Sequence, residues 1–223
     1  MARYDGIAEW YDEKFAAESL LAALPRRTAL ELLGPPRGTL VDIGCGGGSH
    51  AAAFAAAGWQ VTGVDVSADQ LRLARARGVH VVQAPAEELP FADESFDAAV
   101  SIWTHTDIDN WGDATREVAR VLRPGGPFVY FGIHPCFVGP HSRFVPDEGL
   151  PELHPGYWRT NRYFEGPGVR GGGIRIRVGA VHVPLGRFLQ AFLDAGLQIE
   201  RVEELGHDGY NRYPHVLALR SRA

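Results

Sequence analysis

The feature that most constrains this chain is the stretch LVDIGCGGGSHAAAFAAAGWQVTGVDVS, Leu40 to Ser67. A short apolar run passes through Asp42, four glycines (Gly44, Gly46, Gly47 and Gly48) fall within five residues, and a second apolar run ends in Asp65. Glycine costs stability wherever regular structure is wanted, so such a cluster marks backbone that turns sharply or approaches something closely. Thr39–Ile43 and Gln60–Val64 read as strands, and Ser49–Ala57 as an Ala-rich helix ended by Gly58. Strand, glycine turn, helix and strand together call for a right-handed crossover in a parallel sheet.

The alternation continues. Ser67 is an N-cap with Gln70 three residues on, opening a helix that runs to Arg77 and stops at Gly78. Val79–Gln83 and Phe96–Ile102 read as strands, followed by a helix from about Asp109 to Leu122, the turn Arg123-Pro124-Gly125-Gly126 and the strand Phe128–Ile133. Ahead of this core, Gly6 to Leu33 has helical spacing, with Pro25 expected to separate two helices. After His134 the pattern breaks. Pro135 to about Pro184 is rich in Gly, Pro and aromatics and too long for a plain connection, which predicts a lid. Within it, Ile174, Ile176 and Val178 alternate with Arg175 and Arg177, which predicts strands over Gly173–Val183. An amphipathic helix, Leu185–Ala195, and two strands, Leu197–Val202 and His215–Leu219, joined by a polar turn at 206–211, close the chain. The expectation is one domain over 1–223, with a helical cap (1–36), a core (37–134), a lid (135–184) and a closing segment (185–223).

A formal net charge of −5 without runs of like charge argues against a nucleic-acid binder working through a basic face. Met1 to Trp10 has no apolar signal core, and no apolar run approaches the length of a membrane span. Cys45 and Cys136 are too far apart in sequence to give a disulfide framework or a metal-ligand pair, and His105, His134 and His141 lack ligand spacing. These features predict a cytoplasmic protein, monomer or homodimer, that handles a small molecule and holds no metal.

The glycine turn has two readings. A dinucleotide fingerprint G-x-G-x-x-G, counted from Gly44, fails at Ser49, and Asp42 puts negative charge where a phosphate would sit. The pattern present, D-x-G-x-G-x-G, fits a cationic ligand better. With VTGVDVS, APAEELPFADESFDAAVS and EVARVLRPGGPFVYF following in order, VDIGCGGG resembles the successive motifs of the class I S-adenosylmethionine-dependent methyltransferases. The resemblance covers about Thr39 to Ile133. It implies a Rossmann-like α/β fold, a doubly wound, seven-stranded, mostly parallel sheet of order 3-2-1-4-5-7-6 with strand 7 antiparallel.

It also implies a site for S-adenosyl-L-methionine. Gly44, Gly46 and Gly48 would let the backbone approach the methionine part, with Asp42 near its amino end and Cys45 within the turn. Asp65 would accept from both ribose hydroxyls, Val66 would pack on the adenine, and Gln70 would reach the ribose. Ala86 and Glu87 match the loop at the adenine edge, where Pro85 replaces the family's usual acidic residue. Ser101, Ile102 and Trp103 would line the sulfonium, and Tyr4 and Tyr11 resemble aromatics that cover the cofactor. Cys45 itself reads as a small packing residue, not a nucleophile.

The implied activity is methyl transfer to a small molecule, most readily at a hydroxyl, which requires a proton acceptor. His105, after the fourth strand, and His134, ending the fifth, are the candidate general bases. Asp107 and Asp109 either orient His105 or open the next helix. The lid aromatics Phe144, Tyr157, Trp158, Tyr163 and Phe164, interleaved with Arg143, Arg159 and Arg162, read either as a pocket for an aromatic, natural-product-like acceptor or as the lid's own core. A non-methylating cyclisation on the same fold and a non-catalytic cofactor-binding protein are the alternatives.

Overall fold

The computed structural model describes residues 1–16, 20–145, 150–167, 169, 173–206 and 213–223. Its centre is a seven-stranded sheet built from β1 (Thr39–Ile43), β2 (Gln60–Asp65), β3 (His80–Gln83), β4 (Ala98–Ile102), β5 (Pro127–Ile133), β8 (Gln198–Leu205) and β9 (Val216–Arg222). The spatial order is β3-β2-β1-β4-β5-β9-β8. A short hairpin, β6 (Ser142–Val145) and β7 (Leu150–Leu153), stands apart from it. With that hairpin left aside, the order is the expected 3-2-1-4-5-7-6. β9 runs antiparallel to both β5 and β8, while β1 to β5 are parallel.

β1, β4 and β5 are buried almost along their whole length, as strands covered on both faces must be. One face is covered by α5 (Trp111–Val121) and α7 (Leu185–Asp194). There Trp111 stacks on Phe188 at 5.3 Å and Phe128 stacks on Phe192 at 5.5 Å. α2 (Leu20–Leu33) and Phe54 of α3 (Ser49–Ala56) cover the other face. The capping expectations hold locally. Ser67 Oγ accepts the Gln70 N–H at 3.2 Å at the start of α4 (Ala68–Ala76), and Asn110 Oδ1 accepts that of Asp113 at the start of α5.

Three expectations need correction. Pro25 lies inside α2 and does not divide it. It falls in the second turn of the described helix, where its missing N–H forfeits a single bond to the preceding turn. Gly173–Val183 forms no strand pair beyond an isolated bridge between Tyr163 and Ala180; Ile174–Val178 is the short helix α6. Five alternating residues do not separate a strand from one helical turn, and Gly179, at φ +69°, ends that turn. The lid also contains the β6–β7 hairpin, which periodicity did not reveal. Most of the expected polar turn at 206–211 lies outside the described residues.

The N-terminal cap, α1 (Ala8–Tyr11) and the wide turn Asp12–Ala16, is pinned to α4 by polar contacts. Ser67 Oγ donates to Asp5 at 2.7 Å, the Gly6 N–H donates to Asp69 at 2.7 Å, and Arg77 pairs with Asp12 at 2.5 Å. This holds Tyr4 and Tyr11 over the carboxyl ends of the strands.

The aromatic layer under α7 predicts a large single-site effect. Phe188→Ala is expected to lower unfolding free energy in urea by about 3–5 kcal/mol. A loss under about 1 kcal/mol would show that Phe188 does not anchor α7 to the sheet.

Candidate active site

A cavity of about 710 Å³ opens at the carboxyl ends of β1, β2 and β4, where the order of the parallel strands reverses. Its floor is the glycine turn. Gly44, Gly46 and Gly48 all have positive φ (70°, 52° and 79°), the conformation that glycine alone adopts freely. A side chain on Gly44 would strike Thr104 Cγ2 at 2.2 Å, and one on Gly48 would strike Ala74. Cys45, buried, packs toward Gly63 of β2, whose missing side chain makes room for the sulfur. Burial, with Asp42 and Asp65 nearby, pushes the thiol pKa far up, so it is no nucleophile.

Asp65 links the turn to the next helix. Its Oδ2 accepts the Gly46 N–H at 3.0 Å and its Oδ1 accepts the Ser67 N–H at 2.9 Å. A carboxylate has about four lone-pair sites, so Asp65 retains acceptor capacity for a ligand hydroxyl. Burial, with a smaller push from Asp107, raises its pKa, and backbone donors at Ser67, Gly46 and Val66 oppose that rise. Gln70, 2% exposed, has its Oε1 buried without a partner beside the glycine turn. A glycine cradle, a carboxylate acceptor and an orphaned amide oxygen are space and acceptors that fit a nucleoside carrying a short polar chain.

Of the residues expected at the cofactor, Tyr11, Gly44, Cys45, Gly46, Asp65, Val66, Gln70, Ala86, Glu87 and Trp103 line the cavity, as do Tyr4 and Ile102. Trp103 has φ +61°, unusual for a bulky residue, and its ring rests edge-on against Phe131 at 5.0 Å. Gly48, Asp42 and Ser101 lie behind the wall. Asp42, 2% exposed, has Oδ2 without a partner, and burial together with Asp65 raises its pKa to about 7. Ser101 is fully buried and hydrogen-bonds Thr104.

Neither candidate base lines the cavity. His105 is 2% exposed, its Nδ1 2.5 Å from the Tyr130 hydroxyl and its ring 5.3 Å from that of Phe188. Burial pushes its pKa down to about 3, so it is a neutral core imidazole. His134 is also 2% exposed. Its Nδ1 accepts the Cys136 N–H at 3.2 Å, which leaves Nε2–H to donate to Glu204 at 2.8 Å. Burial lowers its pKa against the pull of Glu204. Both ring nitrogens of His134 thus have partners within the protein.

The lid aromatics Tyr157, Trp158, Tyr163 and Phe164 are also absent from the cavity wall. Tyr157 packs on Trp158, His141 and His182, which is the lid's own core. The far wall comes instead from residues that sequence reasoning missed or gave other roles: Arg3, Asp107, Ile108, Asp109, Ile174 and Arg175. Arg175 Nη1 reaches both oxygens of Asp107 at 3.0 and 3.3 Å, and the Tyr4 hydroxyl bonds to Asp107 as well. His50 also lines the cavity, with burial and then Arg26 driving its pKa down to about 4. Among the described residues no group of three or more His, Cys, Asp or Glu could hold a metal, and no helix is long and apolar enough to cross a membrane.

Residues 41–130 match the methyltransferase domain family. The chain is 34% identical over 158 residues to a demethylmenaquinone methyltransferase of Tropheryma whipplei, an alignment covering 67% of this chain and 66% of that protein. It is 32% identical over 160 residues to a malonyl-[acyl-carrier protein] O-methyltransferase of Pseudescherichia vulneris, covering 69% and 56%. The matched segments thus span less than two thirds of these relatives' own length. A crystal structure of an S-adenosylmethionine-dependent methyltransferase from Mesorhizobium loti superposes over 98% of this chain and 99% of that one, with a TM-score of 0.71 and 25% identity.

The buried Asp42 sets a pH dependence. Its folded pKa lies above the unfolded value, so the folded state keeps a proton that the unfolded state releases, and stability falls as pH rises from about 4 toward 7. Asp42→Asn is expected to flatten that fall in urea denaturation at pH 5 and pH 7. An identical pH slope in both proteins would mean that Asp42 ionises normally.

Proposed function

We propose that this chain is a class I S-adenosylmethionine-dependent methyltransferase and that it transfers a methyl group from that cofactor to an oxygen atom of a small molecule. When bound, S-adenosylmethionine supplies an electrophilic methyl on a positively charged sulfur. The observation that carries the reading is Asp65, whose two oxygens each accept a backbone N–H and whose carboxylate lines the cavity with acceptor capacity remaining. That arrangement suits a ribose diol. The glycine turn would bring backbone against the methionine portion, Val66 and the Ala86–Glu87 loop would flank the adenine, and Tyr4, Tyr11 and Trp103 would shield the reacting centre from water.

Transfer to oxygen is favoured by the O-methyltransferase among the curated relatives. An aromatic, natural-product-like hydroxyl has less support, because the lid aromatics and both candidate bases lie off the cavity. No nucleic acid or membrane enters this reading.

Asp65→Ala is expected to weaken binding of S-adenosylhomocysteine, measured by calorimetric titration, by about tenfold or more, since the ribose hydroxyls lose their acceptor. Unchanged affinity in a folded variant would remove Asp65 from the cofactor site.

A further inference from the structure

The cavity has a chemically distinct wall opposite the glycine turn. Arg3 and Arg175 of the cavity lining meet two carboxylates there, Asp109 and Asp107, and Arg162, outside the lining, also pairs with Asp109. The acidic lining residues Asp12, Asp65, Glu87 and Glu88 belong instead to the N-terminal turn and to the segments after β2 and β3. Both arginines of the lining thus stand on this wall, and the other charged lining residues are acidic.

Arg175 is the arginine of this wall that comes from the lid. A guanidinium has five N–H donors. Nη1 serves the two Asp107 oxygens and the Gly179 carbonyl, and Nη2 donates to Thr106 Oγ1 at 2.9 Å. Nε–H and the second Nη2 hydrogen have no partner among the described residues, and 28% of the side chain is exposed, on the cavity wall. These two hydrogens form one edge of the planar group, which matches the two oxygens of a carboxylate. Asp107 and Thr106 hold the opposite edge, so the orientation is fixed before a ligand arrives. Ile102, Ile108 and Ile174 line the same cavity and suit an apolar body behind the charged group.

Among the described residues His50 is the one histidine on the cavity wall. Burial, more than any neighbouring charge, raises the pKa of Tyr4 and lifts that of Tyr11 to about 12, so both remain donors. His50, at about 4, is a weak base, and both other candidate histidines lie outside. An acceptor that is already ionised at neutral pH needs no base.

We propose that the acceptor is a carboxylic acid with an apolar body, held by the free edge of Arg175 and converted to its methyl ester. One carboxylate oxygen forms the new O–CH3 bond with its own electron pair as the C–S bond breaks, and the electrons of that bond stay on sulfur. The negative and positive charges cancel and no proton moves. This inference rests on the methyl-transfer reading of the cavity.

The test is calorimetric titration of the S-adenosylhomocysteine-loaded protein with octanoate and, separately, with octanol, which shares the chain but lacks the charge. Octanoate is expected to bind about tenfold or more tightly than octanol, and Arg175→Met should abolish that preference while S-adenosylhomocysteine affinity stays within about threefold. The double variant Arg175→Met/Asp107→Asn, which strands neither charge, is expected to behave alike. Equal or undetectable binding of the two probes overturns the proposal, as does a preference that survives in Arg175→Met. So does a loss of S-adenosylhomocysteine affinity in that variant without loss for 5′-methylthioadenosine, because the guanidinium would then hold the cofactor's own carboxylate. Failure of wild-type protein to bind S-adenosylhomocysteine would instead strike the methyl-transfer reading itself.

Discussion

The carboxylate of Asp65 ties together the three pieces from which the cavity floor is made. It ends β2, accepts an N–H from the glycine turn after β1, and accepts another from the first residue of the turn into α4. The turn can present that N–H only because Gly44, Gly46 and Gly48 take left-handed conformations. α4 in turn carries the Ser67 cap, the Gln70 amide and the polar contacts that fix the N-terminal cap above the site. Tyr4 and Tyr11 are thereby positioned through bonds that lead back to one residue. Removing the carboxylate would affect ligand recognition and the geometry of the turn together.

Charge is distributed along the cavity with the same economy. Asp42 and Asp65 lie close beneath the glycine turn, where burial and mutual repulsion raise the pKa of Asp42. A cation above this pair would relieve the repulsion, whereas a pyrophosphate would add to it. At the other wall the arginines of the N-terminal cap and the lid converge on the loop 107–109. That loop follows β4, so the sheet itself supports the junction between cofactor and acceptor regions. The Val181 N–H bond to the Thr106 carbonyl, at 2.7 Å, fastens the lid to the same loop.

Much of the fold was legible because local signals and the long-range pattern agreed. The glycine turn, the Ser67–Gln70 capping pair and the alternation of strands and helices each have a short-range cause, and the sheet order follows from them and the family resemblance. The residues around the glycine turn that line the cavity were readable for the same reason: they sit on turns whose shape the sequence dictates. The wall that holds Arg175 was not. Arg175 meets Asp107 across 68 residues of chain, and nothing in IRIRV announces that one arginine turns inward. The burial of His105 was not legible either, because the neighbouring aromatics Tyr130, Trp111 and Phe188 come from distant segments. Pro25 was misread because a proline's effect depends on how many helical bonds it interrupts, which the residue type alone does not tell.

The central claim is that the glycine turn and Asp65 recognise a sulfur-linked nucleoside and not a dinucleotide. Calorimetric titration of the wild-type protein with S-adenosylmethionine, S-adenosylhomocysteine and NADH tests it most directly. The account predicts binding of both sulfur compounds in about the micromolar range and none of NADH. Binding of NADH alone, or silence from both sulfur compounds, would contradict it.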